Sequence, residues 1–496
     1  MDDGVLLYAS VAGIQEWIVG NTTELRVVRG GSRLLEETFQ SVVNDLKSLL
    51  GDYGTPAEPG IRRWQLIAQS SGQMSLLLDP DEDIESIATQ VRGRLARELP
   101  GLTVTVGTAS LAGPTEPGET PFTAAKRRAM NEAVSTGTRV PAGYHLGTQV
   151  CDATGVATAT CRTTDRWQAK SATPEGWRLS PDAWHRYDQD VGDIEHENVQ
   201  VARDLASIGA ATLSSRYAGY VGVISADGNA IGARFLGLST AELVERESGR
   251  VADAIETMEQ AAYSAALEHH AEQDGDLPLP VNPVVRAGDD LRFVVPGHVA
   301  LPFAAALTDA SSDLKACAGV LLCHANLPFN VAHDASEELL SRAKQASKSH
   351  PDADAPPYVG FAVEAGTGVR DELGDDRVSA SPYASRELKK LLQAARLLEV
   401  SPTSVRNALG ALERGGRIAD REWALWYLAA PPQAQQQLKE LWELFGAPGD
   451  PADTPFPVRR WRDGHGAPGE RLVSPLGDLL ILHSLETSPA AELGVA

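Results

Sequence analysis

The feature that most constrains this chain's fold is an internal repeat. The strand-like run "YVGVISADGNAIG" (220–232) is followed by the hairpin-like "VVRAGDDLRFVVP" (284–296). The apolar "CAGVLLCHANLPF" (317–329) and the helical "ASEELLSRAKQASK" (335–348) come next. Roughly 217 residues earlier stand "LLYASVAGIQEWI" (6–18), "IAQSSGQMSLLLD" (67–79), "LTVTVGTASLAG" (102–113) and "FTAAKRRAMNEA" (122–133), in the same order and of the same character. Helical periodicity fills the intervals at Ser239–Ala266 and Asp83–Leu99. Each copy therefore reads strand, helix, hairpin, helix, strand. This is a βαββαβ unit, with two helices on one face of an antiparallel sheet.

The two copies differ in their acids. Under the offset, Asp227 falls on Ser10, Asp289 on Gly72 and Asp290 on Gln73. A tight turn accounts for one Asp. A second one beside it repels the first and costs stability. If the turn alone needed these acids, the first copy would carry them too. In a βαββαβ sheet the end of the first strand lies beside the tip of the central hairpin, which brings Asp227 towards Asp289 and Asp290. Three carboxylates suit Mg²⁺ or Mn²⁺, which keep room for waters and substrate phosphates. Two such ions would clamp the attacking and leaving oxygens of a phosphoryl or nucleotidyl transfer. Gly228, Asn229 and Gly232 in "DGNAIG", and Gly288 in the hairpin, would let backbone approach a triphosphate. Lys344 and Lys348, four apart on one helix face, would neutralise its charge.

Bulk properties narrow the class. A length of 496 residues predicts two to four domains. The formal net charge of −23 argues against a broad nucleic-acid-gripping surface, though not against a local pocket built around metal ions. No apolar run is long enough to span a membrane. The acidic start "MDDGVLLYASVAG" is unlike an export signal, and four Cys make no disulfide framework, so the expected location is cytoplasmic. No Ser-His-Asp elbow, Walker loop or dinucleotide fingerprint is present.

The boundaries read from composition are 1–145 (first copy), 146–215 (linker region), 216–380 (second copy) and 381–496 (C-terminal helical domain). The stretch 269–283 reads as a polar connection. The segment 381–445 is helical by period, and 445–457 is a loop. Other residues carry bland readings. His269-His270 lacks metal-ligand spacing, and His333-Asp334 is isolated. Cys317 and Cys323 are small core residues. Trp423, Trp426 and Trp442 serve packing or a helix–partner surface.

These residues resemble one known family, the large polymerase/cyclase subunit of type III CRISPR effector complexes, which has two palm domains. The resemblance covers nearly the whole chain. "AGIQEWI…LRVVRGGSRLLEETF" is similar to the opening of that family's first palm, with its Gln-aromatic helix and Gly-Gly-Ser turn. "ADGNAIG", "AGDD", "AGVLLCHANLPF" and the "AK" helix resemble the second palm. "SASPYASRELKKLLQAARLLEVSPTSVRNAL" resembles the start of the C-terminal helical domain. The implied fold is α+β: two ferredoxin-like (βαββαβ) palms, one degenerate, plus a C-terminal helical domain. The implied activity is condensation of ATP into cyclic oligoadenylates, a second messenger for defence nucleases. Asp227, Asp289 and Asp290 would be the catalytic ligands of two Mg²⁺ or Mn²⁺ ions, and Lys344 the basic residue of the helix motif.

Four departures stand out. Ala287 replaces the first Gly of Gly-Gly-Asp-Asp, and Asn229 replaces the second acid of Asp-Gly-Asp. Of the family's two Cys-x-x-Cys pairs, only Cys151 and Cys161 remain, with Thr154 and Thr164 in the other places, so no zinc is expected. The HD-type nuclease domain of many members is missing from the start. A cyclic product needs two facing nucleotides, and the degenerate first palm is the expected second seat, through Gly30-Gly31-Ser32 and Ser70–Gly72. Expected partners are ATP or other nucleoside triphosphates, CRISPR effector subunits with guide and target RNA, or a second copy in a homodimer, and no membrane. The alternatives are a structural subunit of an RNA-guided complex, a stand-alone signalling cyclase, and a nucleotide-binding pseudoenzyme.

Overall fold

The structure is a computed structural model. It describes residues 3–51, 63–139, 196–364 and 381–397, apart from 21–24, 71, 136, 203, 214–216, 230, 274, 312 and 350–355. Elsewhere it describes only 161–162, 178–179, 186, 194, 428, 432, 435–436, 439, 459–461, 471–473, 478–479 and 482–483.

The first copy runs β1 (Val5–Ala12), α1 (Leu25–Leu50), β2 (Trp64–Ser70), β3 (Gln73–Leu78), α2 (Ile84–Glu98), β4 (Thr103–Ser110), α3 (Pro121–Ser135) and β5 (Thr138–Arg139). A short ribbon, β6 (Cys161–Arg162) with β7 (Arg178–Leu179), and then β8 (Val199–Val201) and α4 (Leu205–Ala210) lead onward. The second copy runs β9 (Tyr220–Gly228), α5 (Ile231–Leu236), α6 (Ala241–Glu272), β10 (Leu279–Ala287), β11 (Asp290–Pro296), α7 (Ala300–Asp309), β12 (Ala316–His324) and α8 (Phe329–Lys348). After it come β13 (Tyr358–Val363), β14 (Tyr383–Ala384), α9 (Ser385–Leu397), β15 (Arg459–Trp461) and β16 (Arg471–Val473).

Both sheets repeat one strand order. The first is β2-β3-β1-β4-β5, and the second is β14-β13-β12-β9-β11-β10-β8. The four strands of each βαββαβ copy thus stand second-third-first-fourth. Register makes the equivalence residue-specific. Tyr8 and Ser10 pair with Gly107 and Thr105 across β1 and β4, while Ser225 and Asp227 pair with Gly319 and Cys317 across β9 and β12. The offset of roughly 217 carries Tyr8 to Ser225 and Ser10 to Asp227, so Gly107 and Gly319 occupy one position of the repeat. Their lack of a side chain has one reason. A Cβ on Gly107 would meet the Ala129 carbonyl of α3, and one on Gly319 the Ser336 carbonyl of α8. In each copy the last helix lies directly on the fourth strand at this point.

Packing follows the alternation of the strands. Leu6, Tyr8, Ile67, Leu77, Phe122, Ala125 and Ala129 form a core of the first copy, which Ala241 and Val244 of α6 complete. Phe293, Phe303 and Tyr263 meet edge-on or tilted in a core of the second. Cys317 and Cys323, six apart on β12, are fully buried, as small core residues should be. Contacts sort the chain into two compact units. One comprises Met1–Asp193, Ala230–Glu256 and Pro283–Arg292, and the other Ile194–Asn229, Thr257–Asn282 and Phe293–Ala496.

Helix limits adjust several expectations. α2 lies where the period placed it, with Asp83 as the N-cap accepting from the Ser86 amide. The expected polar connection at 269–283 starts later, because α6 continues to Glu272. Gly30-Gly31-Ser32 is not a turn, as the sequence suggested, but lies inside α1. The backbone of Arg186 approaches Gly30 too closely for any side chain there, and the Arg186 stem crosses Gly31. Arg186 is fully buried, donates to the Trp17 carbonyl at 2.5 Å and covers the Trp17 ring. The two glycines admit a neighbour rather than break a helix. Of the C-terminal helices only α9 is described as a continuous element, and Trp423, Trp426 and Trp442 lie outside the described residues, as do Cys151, Thr154 and Thr164. Among the described residues no helix is long and apolar enough to cross a membrane.

Candidate functional site

Ser225 and Asp227 share one face of β9, and α8 meets both. Ser225 Oγ lies 2.8 Å from Ser336 Oγ, and Lys344 Nζ forms an ion pair with Asp227. Lys344 and Asp227 are each about one-quarter exposed, with side-chain accessibilities of 26% and 28%. Burial, and then the charge of Lys348, push the Lys344 ammonium below its ordinary value. Lys348, one turn further on, is exposed. Gly228 is buried at the end of β9. Asn229 follows in a turn, with its amide donating to the Lys315 carbonyl at 2.6 Å. Gly232 is exposed in α5, a helix of six residues.

The hairpin tip has its own geometry. Gly288 has φ +66°, the left-handed conformation that a tight turn asks of glycine. Its α-carbon faces Ser70 at the end of β2, to which an added Cβ would come within 3.7 Å. Asp289 is partly buried, and burial raises its carboxyl above the usual range. Asp290 opens β11 and accepts from Arg292 Nη1 at 3.0 Å, with Arg292 itself almost fully buried. The sequence reading missed Arg292. Its position two residues after Asp290 on one strand face is the signal that could have found it.

Among the described residues, no group of three or more His, Cys, Asp or Glu side chains is gathered closely enough to hold a metal ion. Asp227 and Asp290 face Lys344 and Arg292 instead. The donor chemistry nevertheless suits a hard divalent cation, since all three groups are carboxylates. A carboxyl raised by burial is also one that a nearby cation would return to its charged form. The first copy lacks this chemistry at the matching places. Ser10 and Thr105, which stand where Asp227 and Cys317 stand, share a hydroxyl–hydroxyl hydrogen bond of 2.8 Å. That pair satisfies the strand end without a charge.

A second polar cluster lies at the C-terminal end of α6. His269, His270 and His298 are almost fully buried. His270 Nε2 donates to the Asp276 carbonyl at 2.8 Å, so its Nδ1 accepts from His298 Nε2 at 2.9 Å. Arg396 of α9 donates to His269 Nδ1 and also binds Glu272 at 2.7 Å. Burial first, then Arg396, lower His269 to about 3, and burial also holds His298 well below its ordinary value. Burial thus keeps the His269 and His298 rings neutral in a cluster that locks helices together.

No family model and no curated protein matches the chain. Solved structures do. A Csm1–Csm4 cassette in complex with cA4 shares 14% identity at a TM-score of 0.56, covering 98% of this chain and 70% of that one. The cassette with one ATP gives 14% identity and 0.54 over the same shares, 98% and 70%. A Csm1–Csm4 subcomplex of the type III-A CRISPR-Csm interference complex gives 15% and 0.54, again over 98% and 70%. The likeness at this identity is one of fold, and it extends over nearly the whole chain.

Proposed function

We propose that this chain, which has the fold of Csm1, is a palm-type nucleotidyltransferase that condenses nucleoside triphosphates, ATP foremost, into cyclic oligonucleotides for antiviral signalling. Each βαββαβ copy is a ferredoxin-like palm, and the second is the catalytic one. One observation carries the reading: equivalent positions hold Asp227, Asp289 and Asp290 in the second copy but Ser10, Gly72 and Gln73 in the first. Register supports their joint action. In the first sheet Ser10 and Gln73, the counterparts of Asp227 and Asp290, are direct partners across β1 and β3. The second sheet likewise sets β9 next to β11.

The reaction would join the 3′-hydroxyl of one nucleotide to the α-phosphate of another, with pyrophosphate leaving. Asp227, Asp289 and Asp290 would hold Mg²⁺ or Mn²⁺, which would neutralise phosphate charge and favour the ionised hydroxyl. Lys344, against Asp227, would mark where the triphosphate ends, and exposed Lys348 would extend the positive line. Gly228, Asn229, Gly232 and Gly288 would form the backbone around it. For the facing nucleotide, Ser70–Gly72 remains the proposed seat, since Gly288 lies near Ser70. Gly30-Gly31-Ser32 does not contribute to it, since Gly30 and Gly31 are packed on Arg186 inside α1.

The Csm1 structures with ATP and with cA4 support this substrate and product class. That Csm1 was solved with Csm4 supports further effector subunits as partners, and with a net charge of −23 such subunits would supply the grip on RNA. Incubating the purified chain with each nucleoside triphosphate and Mn²⁺, with products read by mass spectrometry, tests the proposal. A cyclic oligonucleotide is expected. Failure to form product, alone or with partner subunits and target RNA, would contradict it.

A further inference from the structure

Asn229 stands where the resembled family's Asp-Gly-Asp pattern has its second acid, but its side chain is occupied elsewhere. Asn229 Nδ2 lies 3.4 Å from Cys317 Sγ and 3.5 Å from Ser347 Oγ, both buried. Ser347 Oγ in turn donates to the Pro356 carbonyl at 3.3 Å, so towards Asn229 it acts as acceptor. The Asn229 amide meanwhile donates to the Lys315 carbonyl. One residue thereby touches the start of β12 and the last turn of α8, which is itself bonded to the segment entering β13. Lys344, on the same helix, is three residues before Ser347 and pairs with Asp227, two residues before Asn229. The end of β9 and the end of α8 are thus fastened at two points, one ionic and one through the carboxamide.

We infer that Asn229 is a positioning residue: its NH₂ group ties the end of β9 to α8 and β12, fixing the Asp227 carboxylate, and it supplies no metal ligand. The inference rests on the proposed role of Asp227. It also reverses the expectation drawn from the Asp-Gly-Asp pattern. A carboxylate here has no hydrogen to give, and with the Ser347 hydrogen already committed to Pro356 it would face only the weak S–H of Cys317. Restoring the acid would therefore loosen the strand end.

Two measurements on the full chain test this, and the first needs no catalysis. Amide hydrogen exchange in peptides covering 220–231 and 356–363 should quicken about tenfold in Asn229→Ala, Asn229→Asp and Ser347→Ala, with no further gain in the Asn229→Ala/Ser347→Ala double variant. Unchanged exchange, or fully additive effects, would overturn the inference. The second is turnover of ATP with Mn²⁺. Asn229→Asp should lower kcat about tenfold or more and leave the half-saturating Mn²⁺ concentration where it was, whereas Cys317→Ser, which keeps an acceptor, should retain activity. A rise in turnover or tighter Mn²⁺ saturation in Asn229→Asp would show a ligand position and overturn it. Should the unaltered chain make no product, whether alone or with partner subunits and target RNA, the proposed function fails while the exchange result still decides the role of Asn229.

Discussion

A single position of the repeat shows how one residue separates two copies of a fold. Ser10 closes on Thr105 through hydroxyls, while Asp227 in the same place needs Lys344 of α8 to balance its charge. Because Asp227 and Lys344 are each about one-quarter exposed, their pair contributes little to stability, about 0–1 kcal/mol. On the proposed function, its worth would lie in aiming a cation at a site where negative charge accumulates. Lys344→Met should accordingly leave the thermal midpoint within about 2 °C of the parent yet lower turnover about 100-fold. Parallel melting and rate measurements check this, and a large loss of stability with unchanged turnover would assign Lys344 a structural part. The acids were legible in the sequence, since the offset of the repeat exposes their one-sidedness. Lys344 was legible as a cation for phosphate but not as the partner of Asp227, because that pairing depends on which helix lies over which strand. Arg292 carries a local signal instead, two residues after Asp290 on one strand.

Among the elements, the βαββαβ order was readable because strand and helix periods survive in both copies and agree at one offset. Helix α1 was misread at Gly30-Gly31 for a physical reason. Glycine marks both turns and close approaches, and only the packing of Arg186 against it tells which. Gly107 and Gly319 show the second use twice at one repeat position. Gly107→Ala would push a methyl group into the backbone of α3, and Gly319→Ala into that of α8. Each should cost about 3 kcal/mol or more, since backbone cannot yield as a side-chain tip can. Denaturant unfolding of the two variants measures the cost, and changes within about 0.5 kcal/mol would mean that these helices do not sit tightly on their strands. Equal costs in both would tie the two copies to one packing solution.

For the molecule as a whole, stability and the proposed activity draw on different parts of the chain. The histidine cluster joins α6, the turn after β11, and α9, and burial keeps His269 and His298 neutral within it. His269 has a folded value of about 3 against an ordinary 6.5, so the unfolded chain binds the extra proton first as pH falls. The stabilisation is complete above about pH 6.5 and is lost as pH falls from there towards 3, at up to about 1.4 kcal/mol per pH unit for each such ring. Thermal midpoints taken from pH 8 to 4 should fall below about 6.5, and His269→Gln should flatten that fall. No periodic pattern marks three separate histidines as one cluster, so the sequence could not disclose it. The central claim concerns the other part, that one copy of a duplicated fold does the chemistry with its acids. The most direct test is the rate of cyclic product formation from ATP and Mn²⁺ by the unaltered chain and by the Asp289→Asn/Asp290→Asn double variant, with both shown by melting to be folded. The account predicts product from the first and a loss of at least about 1000-fold in the second. Undiminished product from the variant would contradict it.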